Sequence, residues 1–227
     1  GETYRFNWGT NDRLTEEIGL DDVITRYDYD ECNRTTRRIF AANSGHALTH
    51  QFTRDLSGQL IAKQTPDGVT AYQYSPAGHL TEAVFTPQND GIAQQLRLDY
   101  DLAGQLTAED GINGAVGYQY DALGNRTSVT LPDGRSLRTL YYGSGHALQI
   151  MLDSRLITEF SRDALHRETG RTQGALHSGL RYDRYGRVTE RWTGQSPHSA
   201  LAQTKESWHY DLRDNLTSVH QSTPLFR

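Results

Sequence analysis

One pattern returns about every 20 to 28 residues along nearly all of this 227-residue chain: an aromatic residue or Leu, any residue, usually Tyr, then Asp-x-x-Gly-x-Leu. A period of that length marks one supersecondary unit stacked on copies of itself, which limits the architecture before any other feature is considered. The clearest copies begin at Tyr72-Gln73-Tyr74, Leu98-Asp99-Tyr100-Asp101, Tyr118-Gln119-Tyr120-Asp121, Leu180-Arg181-Tyr182-Asp183 and Trp208-His209-Tyr210-Asp211. Weaker copies start at Tyr27 (with Tyr29), Phe52, Leu140 (with Tyr142) and Phe160, and a distorted first copy starts at Tyr4.

Residues two apart in a strand point to the same face. Each Tyr-x-Tyr pair therefore puts two large rings on one side of a sheet, and that side is expected to be the packed one. The aspartates that follow, Asp30, Asp55, Asp101, Asp121, Asp163, Asp183 and Asp211, can accept a backbone N–H two residues on. Three residues after the Asp the backbone has to turn left-handed, which suits Gly. Gly58, Gly78, Gly104, Gly124 and Gly186 fill that slot, and Asn33, His146, His166 and Asp214 are read as its replacements. Asn, Asp and His are the side chains that best tolerate positive φ. Second turns follow at Thr65-Pro66-Asp67-Gly68 and Leu131-Pro132-Asp133-Gly134. The expected fold is all-β: antiparallel hairpins joined into a curved, spiralling ribbon in which each repeat touches mainly its neighbours. Residues 1–227 form one stretch of about nine to ten repeats on this reading.

Composition fits a sheet wetted on both faces. Hydrophobic residues make up 35% of the chain and the mean hydropathy is -0.72, a thin apolar supply for a compact two-layer domain. The net charge of -5 offers no basic excess for nucleic acid or anionic lipid. No run approaches the roughly 18 apolar residues of a membrane helix, and Gly1 to Thr10 lacks the apolar core of a signal peptide. Cys32 is the single cysteine, so neither an internal disulfide nor a Cys-based metal knuckle is expected.

The turn aspartates recur once per unit, whereas a catalytic carboxylate pair is a singular constellation, so they are assigned to turn capping. His46 and His50 have the i, i+4 spacing of a zinc pair, but the Glu of the protease motif is missing between them. The context Ser44-Gly45-His46-Ala47-Leu48 also recurs at Ser144-Gly145-His146-Ala147-Leu148 without a second His. No nucleophile elbow, Walker loop or dinucleotide fingerprint occurs. No catalytic residue, cofactor or metal is expected. An aromatic surface of this kind could alternatively stack on sugars.

The Tyr-x-Tyr-Asp-x-x-Gly-x-Leu repeats resemble the YD repeats of the bacterial Rhs family, which includes Tc-toxin shell components and, more distantly, animal teneurins. The run from Ser161-Arg162-Asp163-Ala164-Leu165-His166-Arg167-Glu168 through Arg171-Thr172-Gln173-Gly174 to Tyr182-Asp183-Arg184-Tyr185-Gly186-Arg187-Val188-Thr189 is similar to the core of Rhs proteins from Gram-negative bacteria. The resemblance implies a β-shell that closes as a cocoon around a carboxy-terminal toxin domain, made in the cytoplasm and exported, often by type VI secretion. Its partners would be the rest of the shell, the enclosed toxin and, through regions absent here, secretion-spike proteins. The family's self-cleavage site contains Asp-Pro-x-Gly, and no Asp-Pro occurs here, so self-cleavage is not carried over and the stretch reads as an internal piece of the shell. Unpaired strand edges near Tyr4-Arg5-Phe6 and Leu216-Thr217-Ser218 are expected to recruit further strands or a second copy. An extracellular adhesin or carbohydrate-binding module on the same repeats is the alternative.

Overall fold

The computed structural model describes residues 3–143 and 145–222. By internal contacts the chain divides into two compact units, Gly1–Ala115 and Val116–Arg227. The first unit holds β1 (Arg5–Trp8), β2 (Leu14–Ile18), β3 (Ile24–Tyr29), β4 (Thr35–Phe40), β5 (Leu48–Arg54), β6 (Leu60–Thr65), β7 (Gly68–Tyr74), β8 (Leu80–Pro87), β9 (Gln94–Tyr100) and β10 (Leu106–Gly111). β11 (Gly114–Tyr120) crosses the division. The second unit continues with β12 (Arg126–Thr130), β13 (Ser136–Tyr142), β14 (His146–Leu152), β15 (Arg155–Arg162), β16 (Glu168–Gln173), β17 (Leu176–Tyr182), β18 (Val188–Gly194), β19 (Thr204–Tyr210) and β20 (Leu216–Ser222).

From β1 to β10 every strand pairs antiparallel with the next in sequence, and so does every strand from β11 to β20. The fold is all-β, and its helical turns among the described residues are the single 3-10 turns Thr10–Asp12 and Ser199–Leu201. Successive turns alternate between the two edges of each sheet. One edge carries the Asp-x-x-Gly turns and is termed the YD edge; the other carries the plain turns.

Alternation along the strands follows the sequence. Tyr72 and Tyr74 are half-buried around exposed Gln73, and the same holds for Tyr118 and Tyr120 around Gln119, and for Trp208 and Tyr210 around His209. Within each unit no second layer of the described residues covers this face. Guanidinium groups lie over the rings instead: Arg38 over Tyr27 at 5.2 Å, Arg126 over Tyr118 at 5.5 Å, Arg167 over Tyr182 at 4.4 Å and Arg187 over Tyr210 at 4.6 Å.

Trp192, 8% exposed, is the one buried hydrophobic side chain among the described residues; Thr25 and Thr158 are the buried polar ones. Trp192 lies flat on the neighbouring strand, where a Cβ on Gly179 would fall 2.2 Å from its ring. The sheet is thus held by ladder hydrogen bonds and cross-strand pairs rather than by a core.

Candidate functional site

The repeated element that concentrates polar chemistry is the YD turn. In the turn opened by Asp121, the Asp121 N–H donates to the Asn125 carbonyl at 3.0 Å and the Gly124 N–H donates to the Asp121 carbonyl at 3.0 Å. Oδ1 of Asp121 accepts from the N–H groups of Leu123 and Asn125, both at 2.9 Å. The carboxylate therefore satisfies donors two and four residues on. Asp30, Asp101, Asp163, Asp183 and Asp211 do the same. Asp55 caps Gln59 N–H and accepts from the Ser57 hydroxyl, and Ser75 substitutes for Asp before Gly78.

The left-handed slot has φ of 94° at Gly58, 88° at Gly78, 79° at Gly104, 83° at Gly124 and 87° at Gly186, and Asn33, His166 and Asp214 adopt 62°, 62° and 64°. His146 does not belong in this set. The positive φ of its turn falls on Gly143 and Gly145, at 58° and 94°, and His146 opens β14. The repeat there is framed one residue earlier: Tyr141 takes the second-aromatic position, Tyr142 the Asp position and Gly145 the slot. The first copy is also displaced. Gly9 N–H donates to the Arg13 carbonyl and Asp12 has φ 52°, which places its aromatics at Phe6 and Trp8 rather than at Tyr4.

Three features of the repeat carry no obvious signal in the Tyr-Asp pattern. The second aromatic donates its hydroxyl to the carbonyl that opens the preceding return strand: Tyr29 to Leu14, Tyr74 to Leu60, Tyr141 to Arg126, Tyr182 to Glu168 and Tyr210 to Val188, at 2.7 to 3.0 Å. The return strand carries a bulge, since Gln73 pairs with Glu82 while Tyr74 pairs with Leu80. The skipped Thr81 donates to the Gln73 carbonyl, and Thr127, Thr189 and Thr217 repeat that bond. The Thr at the second position of the return strand, in Leu80-Thr81, Arg126-Thr127, Val188-Thr189 and Leu216-Thr217, is its trace in the sequence.

The third feature is the residue four after the Asp. Its side chain bonds the Asp Oδ2 in Arg34–Asp30, Asn125–Asp121, Arg167–Asp163, Arg187–Asp183 and Asn215–Asp211. It also leans on the next turn along the edge. A Cβ on Gly58 would lie 2.8 Å from Arg34 Nη1, on Gly104 2.9 Å from His79 Cε1 and on Gly145 2.8 Å from Asn125 Oδ1. His79 also stacks on Tyr100 at 4.8 Å, and His146, which occupies this position in its own turn, stacks on His166 at 4.4 Å while Tyr142 bonds His166 Nδ1. In each unit a ladder of side chains thus runs from turn to turn.

Electrostatics agree with capping. The Asn125 side chain and N–H hold the Asp121 carboxyl below the usual range, the Asn125 counterpart Asn215 does so for Asp211, the Arg34 N–H for Asp30, the Ser57 hydroxyl for Asp55 and the Arg167 side chain for Asp163. At Asp183 desolvation works upward and is outweighed by the Arg187 side chain and N–H. These are fixed anions with their lone pairs engaged, the opposite of a proton-transfer pair. Burial and the Glu17 carboxylate push the Tyr27 phenol up to about 12.

His46 sits in a turn and His50 on β5, edge-on to Phe40 at 4.8 Å, so the two share no helix. No group of three His, Cys, Asp or Glu side chains suited to a metal occurs among the described residues, and no helix there is long and apolar enough to cross a membrane. A recess of about 490 Å3 in the second unit is lined by Ser178, Thr193, Thr204 and Trp192, with the ion pairs Arg171–Glu168 and Arg191–Glu206 at 3.0 and 2.7 Å. Its charges cancel in pairs.

A meander of Asp-capped hairpins, each leaning on the next, defines a β-repeat protein of the array type. Residues 100–136 match the RHS Repeat family. The chain is 35% identical over 234 residues to double-stranded DNA deaminase toxin A of Burkholderia cenocepacia (strain H111), covering 96% of this chain and 16% of that protein. Its fold matches the crystal structure of TcdB2–TccC3 without the hypervariable C-terminal region, with a TM-score of 0.73, 16% identity and coverage of 96% of this chain and 14% of that one. It also matches the Tc holotoxin pore of Photorhabdus luminescens, with a TM-score of 0.62, 13% identity and coverage of 98% and 14%. The chain belongs to the Rhs/YD-repeat family, and it spans about one sixth of the length of the curated relative it matches.

Proposed function

We propose that this chain is an internal wall segment of a hollow β-shell that sequesters a carboxy-terminal toxin domain until delivery to a competitor or host cell. The observation that carries the reading is the near absence of a core. Among the described residues only Trp192 is a buried apolar side chain, yet the strands pair in regular register and the Asp-capped turns have their N–H groups engaged. Such a sheet invests in area rather than enclosed volume, as a wall requires. The similarity to a much longer toxin protein supports the same reading. The segment has no catalytic role of its own in this proposal. Further strands of the longer protein pair with the outer sides of β1 and β20, and export proceeds by a route such as type VI secretion.

Sequencing the gene on both sides and limited proteolysis of its full product test the proposal together. A downstream domain should resist protease in the intact protein and become cleavable when the wall is opened by Gly124→Val. A downstream domain cut as fast in the intact protein as in isolation would sink the idea.

A further inference from the structure

The tips of the YD turns need no apolar residue: Asp and the left-handed slot complete the turn, and the two residues between them contribute a backbone N–H to the Asp cap; in addition the Ser57 hydroxyl bonds Asp55, and the Tyr185 ring lies against Arg184 and Arg187. Large apolar side chains nevertheless occupy these tips. Leu56 and Leu102 in the first unit, and Leu123, Leu165, Tyr185 and Leu212 in the second, are all at least 63% exposed. Successive turns on one edge lie two strands apart, about 10 Å at the usual strand spacing, so Leu165, Tyr185 and Leu212 form an apolar row along the YD edge of the second unit, whereas in the first unit Pro76–Ala77 separates Leu56 from Leu102. A row of that kind marks a contact surface rather than scattered surface residues.

The plain edge of the first unit is apolar too, through Leu20, Val23, Ile92 and Ile112, but its charges are acidic: Asp21, Asp67 and Asp90 lie in its turns. The YD edge of the second unit carries Arg184 and Arg213, while its turn aspartates are engaged internally and Asp214 is paired with Arg187 at 2.6 Å. Two YD edges of the second unit facing each other would set Arg184 and Arg213 against their own kind. A YD edge of the second unit facing a plain edge of the first joins apolar to apolar and cation to anion.

We infer that the YD edge is a docking edge for the plain edge of another sheet of the same kind, and that in the isolated chain this partner is a second copy. The inference deepens the wall-segment reading, because edge-to-edge stacking is how successive passes of one long sheet would adhere. A head-to-tail contact of two different surfaces does not close on itself, so association should continue past the dimer.

Sedimentation velocity of the 227-residue chain from micromolar to near-millimolar concentration reads this out. The weight-average mass should rise beyond twice the monomer and the association should weaken with added salt. Leu165→Ser combined with Leu212→Ser should weaken it at least tenfold, and Ile92→Ser should weaken it as well, with the thermal midpoint unchanged because these side chains are 71%, 97% and 90% exposed. A strictly monomeric chain overturns the inference. So does association lost in Phe6→Pro, which blocks strand pairing at β1, but untouched by the tip variants. Association lost in the YD-tip variants but untouched by Ile92→Ser also overturns it, since it would mean that like edges meet. None of these outcomes bears on protease protection of a downstream domain, so failure here and failure of the wall reading are separable.

Discussion

Arg187 serves two turns at once: its Nε donates to Asp183 at 2.7 Å within its own turn, and its Nη1 donates to Asp214 at 2.6 Å in the next. Asp183 is about one fifth exposed, whereas Asp214 is 78% exposed, and solvent screens the outer contact far more. In double-mutant cycles the Arg187–Asp183 coupling should therefore exceed the Arg187–Asp214 coupling severalfold. Arg187→Met should lower the thermal midpoint, and Arg184→Met at the neighbouring tip should not. Equal couplings would mean that solvent does not weaken the outer contact.

Gly124→Val should destabilise the protein by about 1–3 kcal/mol, the usual cost of forcing a side chain into left-handed backbone and more for a β-branched one. Asp121→Ala should have a smaller effect of the same sign, and Asn33→Gly should leave the midpoint unchanged or raise it, since Asn33 already holds φ at 62°. Urea titration measures all three. An unchanged midpoint for Gly124→Val would remove that residue from the slot.

Acid should unfold the protein through its caps. Asp30, Asp55, Asp121, Asp163, Asp183 and Asp211 all titrate below the usual aspartate value in the fold, so the unfolded chain takes up protons first. Their contribution is complete above the unfolded value of about 3.9 and is lost as pH falls through the lower folded values. The melting temperature should stay level from neutrality down to about pH 5 as far as these groups decide it, and drop steeply below about pH 4. Replacing Asp121 and Asp211 by Asn should make that drop shallower. A parallel drop in the variant would show that other groups govern it.

Gly179→Ala should cost about 1–3 kcal/mol, the range for overpacking a tight contact, because its Cβ would lie 2.2 Å from the Trp192 ring. Displacing the indole should also shift its fluorescence to longer wavelength. Gly45→Ala, where a Cβ meets nothing within 4 Å and the backbone is not left-handed, is the comparison and should leave both midpoint and fluorescence unchanged.

The tandem hairpins, their Asp caps and the left-handed slot could be read from Asp-x-x-Gly at a regular interval, because those residue types answer to local backbone geometry. The frame was legible only where that dipeptide spacing survived. Around Tyr142-Gly143-Ser144-Gly145-His146 two glycines compete for one slot, and spacing alone points to His146, although His is merely tolerated at positive φ while Gly145 is favoured there. The partner of each Tyr hydroxyl and the resting place of Arg34 or Asn125 depend on the adjacent repeat, which a search within one repeat does not reach. The thin apolar composition did indicate a sheet without a core, but it could not indicate that guanidinium groups would cover the rings.

Because within each unit every strand hydrogen-bonds to its neighbours in the chain, length is a free variable for this architecture. Duplicating or deleting one hairpin leaves every other pairing in register, so the coding sequence can lengthen or shorten by unequal recombination without a compensating change elsewhere. The copies would then drift apart under selection at the slot, the cap and the hydroxyl contact alone, and irregular spacing with degenerate residues between those positions is the record such a history leaves.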